Sequence, residues 1–498
     1  MKQSDPIKVY DARWERGEFS EAQIKRLFEA SFIYGKELGV DTVFFSRDAR
    51  FGCAEVIQWG IDSAKKANFE VYICPNSIST PQSYFATAKI TLDHPGTMGF
   101  AVTASHNPAN YIGIKMTTPG IRAIGLDSGP LGGLKRIREI YHSDLHLSET
   151  GRNAKLHLVD FQNTFIDESL KAAAVAPGSL FGIKVVLDSM NGSGGAETYS
   201  ALQKAGVDVT PVNLLPDGFF PNGSPNPTSI GKMDKNIKLA SEIQADAVIG
   251  LDGDGDRIVF GTPKGLLSAG FAMIQVLHGI NRGSLGQIQI IADPKINPVA
   301  LSEWRKLDAM PILFRNGHSQ IKDYMKQIGA VLAVEESGHF YHLMHLDTLS
   351  YFAENQLLTI LLFLKVCKNN KELSKNIIGQ QAAVHSTGEI NYQFENDQIR
   401  DEALNSAVNL FKHIGARIIT HSKDGIDLEG IMILYGIDSN TFLLESEDNW
   451  LSGYFRIATN EKSVARFYLS AANLENCRIH ENDIRKLLEN TYHGIIVD

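Results

Sequence analysis

Cysteine is scarce. The 498 residues include four, Cys53, Cys74, Cys367 and Cys477, and none falls in a C-x-x-C pair. That excludes the ligand spacing of a zinc site and a disulfide framework. Long apolar runs are missing as well. The longest lies within "LLTILLFL", far short of the roughly 20 apolar residues of a membrane span, and it reads as a buried helix. The opening "MKQSDPIKVYD" has no apolar stretch and no signal-peptide pattern. There is no excess of positive charge. The formal net charge of −9 argues against non-specific nucleic-acid binding, though not against a small anion met by locally gathered basic residues. The expectation is a soluble, reduced, cytoplasmic chain with neither nucleic acid nor membrane as partner.

Hydrophobic residues make up 43% of the chain, enough for several cores. At about 150 residues per domain the length suggests three or four. Short β-rich runs alternate with helical stretches: "DTVFFS", "FEVYICP" and "GFAVTAS"; then "GIKVVLD", "DVTPVN" and "ADAVIGLD"; then "IQIIAD", "PILFR" and "AVLAVEES". Such alternation predicts parallel sheets covered by helices, restarted three times. After a helical stretch from Ile399 to Ile414, runs such as "IMILYG" and "GYFRIA" predict an α+β domain. The expected fold class is α/β: three similar α/β domains in a row and a C-terminal α+β domain. The expected boundaries are 1–150, 151–262, 263–375 and 376–498.

Ligands of open α/β sheets collect at the carboxyl ends of strands. The unusual polar clusters "TASHNP", "DGDGDR", "RNGHS" and "EESGH" all fall there. In "LDGDGDRIVF", Asp252, Asp254 and Asp256 alternate with Gly253 and Gly255. Three carboxylates this close repel unless a cation joins them, and Mg2+ takes oxygen ligands while leaving positions for water or phosphate. A calcium loop is excluded, because Arg257 and Pro263 stand where its Gly and Glu belong. Ser105, before an Asn–Pro turn, reads alone either as a turn or cap residue or as a phosphoryl carrier. Beside a metal loop the second role opens, with His106 and Lys115 able to supply hydrogen bonds and charge. "NGSGG" at 191–195 is not a dinucleotide fingerprint, since Glu197 occupies the third Gly position.

These stretches resemble the α-D-phosphohexomutase family, and within it the phosphomannomutase/phosphoglucomutase branch. The match runs through "YDAR", "TASHNP", "PDGFFPNGSPNP", "DGDGDR", "GHSQIK" and "EESGH", in the family's order. The resemblance implies four domains in a heart shape around a central cleft. It implies an isomerase that interconverts hexose 1- and 6-phosphates of mannose or glucose. Ser105 would be the phosphoserine, and a hexose 1,6-bisphosphate the intermediate and activator. One Mg2+ per chain would be held by Asp252, Asp254, Asp256 and the Ser105 phosphate. Arg13, Lys115 and His318 match positions implicated in positioning and proton transfer. His106, Arg257, Glu335, Ser337 and His339 match substrate-binding positions. Glucosamine phosphate or pentose phosphate is the alternative substrate within the class. A catalytically weak phosphosugar-binding protein is the alternative outside it. A monomer or dimer is expected.

The sequence departs from the family pattern at a few places. The phosphate loop, usually like "RxSxTEP", reads "RIATNEK". Arg456 is kept, Ala458 replaces the serine, and Thr459 and Asn460 are the expected remaining partners. Trp14 follows Arg13 where glycine is usual, and Ile112 stands where asparagine is common. These departures bear on substrate affinity and identity, and leave the phosphoryl-transfer residues in place.

Overall fold

The same four-strand arrangement is built three times. The computed structural model describes residues 4–148, 155–280, 287–458 and 461–497. In the first sheet Glu70–Ser77, Thr42–Arg47 and Thr97–Val102 are parallel neighbours, and Tyr111–Thr118 joins the last of them antiparallel. The second sheet repeats this with Asp208–Val212, Lys184–Asp188, Ala247–Leu251 and antiparallel Ile258–Thr262. The third uses Ala309–Leu313, Ile288–Ala292, Leu332–Val334 and antiparallel Phe340–Leu346.

The wholly parallel sheets expected from the alternation are therefore mixed. The reason is loop length. Only residues 103–110, 252–257 and 335–339 link the third strand of each sheet to the fourth. These are too short for a crossover, so the chain must turn straight back. The three hairpin connections hold "TASHNP", "DGDGDR" and "EESGH". One topological position, used three times, holds the polar clusters singled out from the sequence.

The fourth sheet is antiparallel throughout, in the order Arg417–His421, Asp427–Tyr435, Leu451–Ile457, Val464–Ala471, His385–Gln393, Ile495–Val497. Helices Asp397–His413 and Leu474–Lys486 share its core with Phe455 and Phe467. The "LLTILLFL" run lies in helix Gln356–Asn369 and is buried almost throughout, as its all-round apolar character predicts. No helix among the described residues is long and apolar enough to cross a membrane.

The boundaries shift from those expected. A division at 262 would cut the hairpin of Ile258–Thr262 with Gly265–Leu267, which extends the second sheet. One at 375 would cut helix Lys371–Ala382. The boundary at 150 lies outside the described residues, and Leu156–Leu158 still pairs with the first sheet.

The first three domains meet at three helix N-termini. Ser79 caps helix Thr80–Asp93, Glu197 lies in the first turn of helix Gly195–Ala205, and Gln356 begins helix Gln356–Asn369. Ser79 Oγ and Gln356 Nε2 both donate to Glu197 Oε1. Glu197 is 1% exposed. Burial pushes its carboxyl up to about 8, against the pull of these hydrogen bonds. The folded chain thus keeps a proton that the unfolded chain loses above about pH 4.3, and stability falls as pH rises from there to about 8. Glu197→Gln keeps the shape and removes the ionisation. Its stability should match wild type near about pH 4 and exceed it increasingly towards about pH 8, by on the order of 4 kcal/mol. Thermal melts across that range check this, and a pH-independent difference would contradict it.

Candidate active site

The first strand-to-strand hairpin is held from beneath by one buried arginine. Arg50 has no exposed side-chain surface. Its Nη1 donates to the carbonyls of Pro108 (2.6 Å) and Tyr111 (3.2 Å). Its Nη2 donates to those of Ser105 (2.5 Å) and Asn107 (2.6 Å). Its Nε donates to Asp48 Oδ2 at 3.0 Å. Every N–H donor of the guanidinium is used. This scaffold holds Ser105 at φ 52°, a left-handed conformation rare for a side-chain-bearing residue. Thr103 Oγ1 accepts from the Ser105 N–H at 2.9 Å and itself donates to Asp48 Oδ2 at 2.7 Å.

The motif "PDGFFPNGSPNP" backs this loop from the second domain. The Phe220 ring lies 4.9 Å from the Arg50 guanidinium carbon, and Ser224 Oγ donates to the His106 carbonyl at 2.8 Å. Gly218 permits the approach, because a Cβ there would stand 2.3 Å from the Ala49 carbonyl oxygen. Arg50 and Asp48 are absent from the sequence-predicted set. Their signal was "SRDAR", an acid and an arginine at the end of a buried strand.

The second hairpin meets the first. Asp252 and Asp254 are 0% exposed and Asp256 2%. Ser105 Oγ donates to Asp252 Oδ2 at 3.0 Å. Asp254 Oδ2 accepts from Lys115 Nζ (2.7 Å) and Thr80 Oγ1 (2.6 Å), with Thr103 Oγ1 3.1 Å away. Lys115 also bonds Asp256 Oδ2. Gly253 lets the loops touch, since a Cβ would lie 2.6 Å from the Ser105 carbonyl oxygen. Burial, with Asp254 and Asp256 beside it, drives the Asp252 carboxyl well above the usual range. Burial pushes Asp256 up too, but the Lys115 ammonium outweighs it and holds the carboxyl low. Burial alone would depress Lys115, yet the two aspartates keep its ammonium charged.

The three aspartates each offer an oxygen within 4.8 Å of the others. Asp254 Oδ1 and Asp256 Oδ1 are buried without a hydrogen-bond partner. Unpartnered buried carboxylate oxygens are costly. These residues fit a hard divalent cation.

The third hairpin docks onto the second by a single β-bridge between Arg257 and His339, with the Ile258 N–H donating to the Gly338 carbonyl at 2.9 Å. Arg257 Nε donates to His339 Nε2 at 3.0 Å, and its N–H donates to Asp252 Oδ1 at 3.1 Å. Glu335 is buried and accepts from the Gly317 N–H at 3.2 Å and from the Tyr341 hydroxyl. Burial pushes its carboxyl up to about 7 against both donors. Ser337 lies half-buried in the same turn. His318 begins helix His318–Ile328, and its Nε2 lies 3.2 Å from the Tyr10 carbonyl oxygen. Burial, with Lys322 adding, keeps that ring neutral. Arg13 donates to Asn107 Oδ1 in the serine loop at 3.1 Å and to Asp11 at 2.5 Å. His106 Nδ1 is 3.4 Å from Ser105 Oγ, and burial, with Arg257 and Arg13 adding, pushes the ring down to about 2.

Arg456 belongs to a different group. Its Nη2 is 3.6 Å from Glu389, which also faces Arg466 at 2.9 Å and Lys295 at 3.9 Å. Among the described residues no hydrogen bond or ion pair joins Arg456 to the three hairpins. Thr459 and Asn460 lie outside the described residues. Lys295, in "ADPKINP" after a third-domain strand, is a further basic residue not singled out from sequence. The other two departures turn out to be one. Trp14 and Ile112 are cross-strand partners, 3% and 2% exposed, and form a packed apolar pair.

Models of the phosphoglucomutase/phosphomannomutase family match the chain in three places: alpha/beta/alpha domain I over residues 6–126, domain II over 163–265 and domain III over 271–382. A phosphomannomutase from Escherichia coli K12 is 28% identical over 403 residues, covering 78% of this chain and 83% of that protein. A Xanthomonas campestris protein named phosphohexose mutases is 25% identical over 420 residues, covering 82% and 86%. Among solved structures, a phosphoglucomutase/phosphomannomutase family protein from Burkholderia thailandensis superposes with a TM-score of 0.77 at 21% identity, covering 97% of each chain. Parafusin, a phosphoglucomutase from Paramecium, gives 0.75 at 14% identity, covering 98% of this chain and 96% of that one. At these identities the solved structures bear on fold alone.

The Arg50 scaffold yields a prediction independent of any activity. Arg50→Met leaves Asp48 buried and unpaired, and should lower stability by about 3–5 kcal/mol. Arg50→Lys keeps the charge but not the fork of donors. It should fold, with faster amide exchange confined to residues 103–110. Denaturant melts and hydrogen exchange check both; a rigid serine loop in Arg50→Lys would contradict the scaffold role.

Proposed function

This chain belongs to the phosphoglucomutase/phosphomannomutase family, and on that premise we propose that it interconverts hexose 1-phosphate and hexose 6-phosphate, of mannose or glucose, through phosphorylated Ser105 and a hexose 1,6-bisphosphate. The observation that carries this reading is Ser105 Oγ lying 3.0 Å from a buried carboxylate of the aspartate triad. Asp252, Asp254, Asp256 and the Ser105 phosphate would hold Mg2+, which supplies positive charge to the transferring group when bound.

The transfer breaks the bond between Ser105 Oγ and phosphorus, forms one to a sugar hydroxyl oxygen and releases the hydroxyl proton; the electron pair of the broken bond stays on Ser105 Oγ, which regains a proton before the reverse transfer. Lys115 is held protonated by Asp254 and Asp256, so it supplies charge and takes no proton. His318 is better suited to take it. The Tyr10 carbonyl can only accept, so His318 Nε2 carries the ring proton and Nδ1 is left basic and without a partner. Arg13 braces the serine loop through Asn107. Glu335, Ser337 and His339 would grip the sugar hydroxyls, and Arg257 and His106 the reacting phosphate. After the intermediate turns end for end, the same groups act in reverse. Arg456, with Thr459 and Asn460, would hold the remote phosphate, whose binding energy positions the reacting end.

A coupled assay with mannose, glucose, glucosamine and pentose 1-phosphates, each with a trace of the matching bisphosphate, tests the function. Wild type should carry a phosphoryl group mapping to Ser105 by mass spectrometry. Ser105→Ala should lose it along with turnover, and chelation should stop wild-type turnover until Mg2+ is restored. Binding without turnover would favour the weak phosphosugar-binding reading, which the missing Ala458 hydroxyl motivates.

The remote-phosphate assignment is tested separately. Arg456→Ala should lower kcat/KM by roughly ten- to a thousand-fold, the scale of one or two charged hydrogen bonds. Ala458→Ser, restoring a hydroxyl, should lower KM. Steady-state kinetics decides, and a wild-type-like Arg456→Ala would remove this loop from the site.

A further inference from the structure

At the seam of the second and third domains His339 Nδ1, Asp256 Oδ1 and Glu354 Oε1 are buried without a hydrogen-bond partner, and Glu354 Oε2 meets Lys322 Nζ as an ion pair rather than a hydrogen bond. His339 Nδ1 is 3.7 Å from each of Asp256 Oδ1 and Glu354 Oε1. His339 is 7% exposed, and Asp256 and Glu354 are 2% each. The cluster has the composition of a second cation site. It also has that of an N–H held between two carboxylates.

The other ring nitrogen decides between them. Arg257 Nε donates to His339 Nε2 at 3.0 Å, and arginine has only donors. Nε2 is therefore the lone-pair nitrogen, and the proton of the neutral ring sits on Nδ1. A protonated nitrogen cannot ligate a cation, so the second-cation reading fails. What remains is an N–H aimed at two carboxylates of unlike standing. Asp256 belongs to the triad, where its unpartnered oxygen is a candidate cation ligand. Glu354 lies outside the triad. It ends strand Leu349–Glu354, and its Oε2 is salt-bridged to Lys322 Nζ at 2.6 Å, with that ammonium 4.1 Å from the Tyr84 ring centroid.

We propose that Glu354, with Lys322 as its counter-ion, is a positioning residue for His339: it draws the Nδ1 proton, fixes where the ring points, and keeps Nε2 the lone-pair nitrogen when Arg257 turns away. The 3.7 Å gap closes by a small rotation of the carboxylate or through one bridging water. Histidine tautomers are set in this way by the partner of the opposite nitrogen. Nε2 is then kept as an acceptor beside Arg257, ready for a sugar hydroxyl once Arg257 turns to a phosphate. The last step rests on the function proposed above; the tautomer does not.

Nitrogen-15 NMR of the full chain labelled at histidine, with His339→Asn to assign the signal, tests the tautomer directly. The second arm is the double variant Glu354→Leu/Lys322→Met, which replaces a buried ion pair by apolar groups and so keeps the fold from carrying a lone charge. Wild-type His339 should be protonated at Nδ1. The double variant should melt close to wild type, lose that tautomer once a hexose phosphate is bound and Arg257 has turned to it, and show kcat reduced about ten- to a hundred-fold with KM little changed. A wild-type His339 protonated at Nε2 overturns the proposal whether or not the variant folds. So does a folded double variant that keeps both tautomer and turnover. A wild type with the Nδ1 proton and no turnover of any hexose phosphate would overturn the function and support the positioning role.

Discussion

Lys115 pairs with Asp254 and Asp256 where three aspartates are buried against one another, and most of the site follows from that electrostatic constraint. One ammonium cannot offset three carboxylates in a dry environment. The surplus is met in part: hydroxyls of Thr80 and Ser105 donate to the acids and Arg257 approaches Asp252, while two oxygens are left without a protein partner. The hydroxyls come from the first domain and Arg257 from the second, so the acid cluster itself draws the serine hairpin onto the aspartate loop. An incoming cation would meet the remaining demand. A phosphorylated serine at the same point would add negative charge and raise the demand further.

The architecture makes this convergence cheap in backbone terms. A mixed sheet whose fourth strand turns straight back places a tight hairpin at the carboxyl end of the third strand. Three domains built alike place three such hairpins. They are locked together by short contacts that tolerate little displacement: the Arg257–His339 bridge, the Gly253 approach to Ser105, and the Gly218 approach to Ala49. Beneath them, Glu197 ties Ser79 to Gln356 across the junction of three helix N-termini. The burial of Glu197 shows that a carboxyl lacking a nearby cation holds its proton, whereas Asp256, beside Lys115, gives its proton up. The same side-chain chemistry reaches opposite states through its neighbours alone.

Much of this was legible from residues. Period and composition located the three parallel strands of each of the first three sheets and the buried helix Gln356–Asn369, because apolar runs of strand or helix length are local signals; helices Glu21–Glu37, Gln162–Ala172 and Ala269–Gly279 and the returning fourth strands were not read. The alternating Asp–Gly loop was legible as an acid cluster needing counter-charge, because three adjacent carboxylates repel. Strand direction was less legible: only loop length betrays an antiparallel return, and the parallel reading was too broad. Arg50, Asp48, Glu354 and Lys322 stayed hidden because each acts through a partner distant in sequence. Arg50 reaches carbonyls of residues 105–111, and carbonyls carry no residue signature.

The sequence by itself determined the parallel strands of the first three domains, the three polar turns that follow them, and the acids, lysine and serine in and beside those turns, since these depend on local periodicity and side-chain type. Only the tertiary structure decided which oxygens are left unpartnered, which aspartate carboxyl is pushed up and which is held low, and which nitrogen of His318 and of His339 carries the lone pair. Those states are set by burial and by donors arriving from other domains, such as Arg257 on His339 at 3.0 Å. Distances of this kind exist only once the chain has closed on itself.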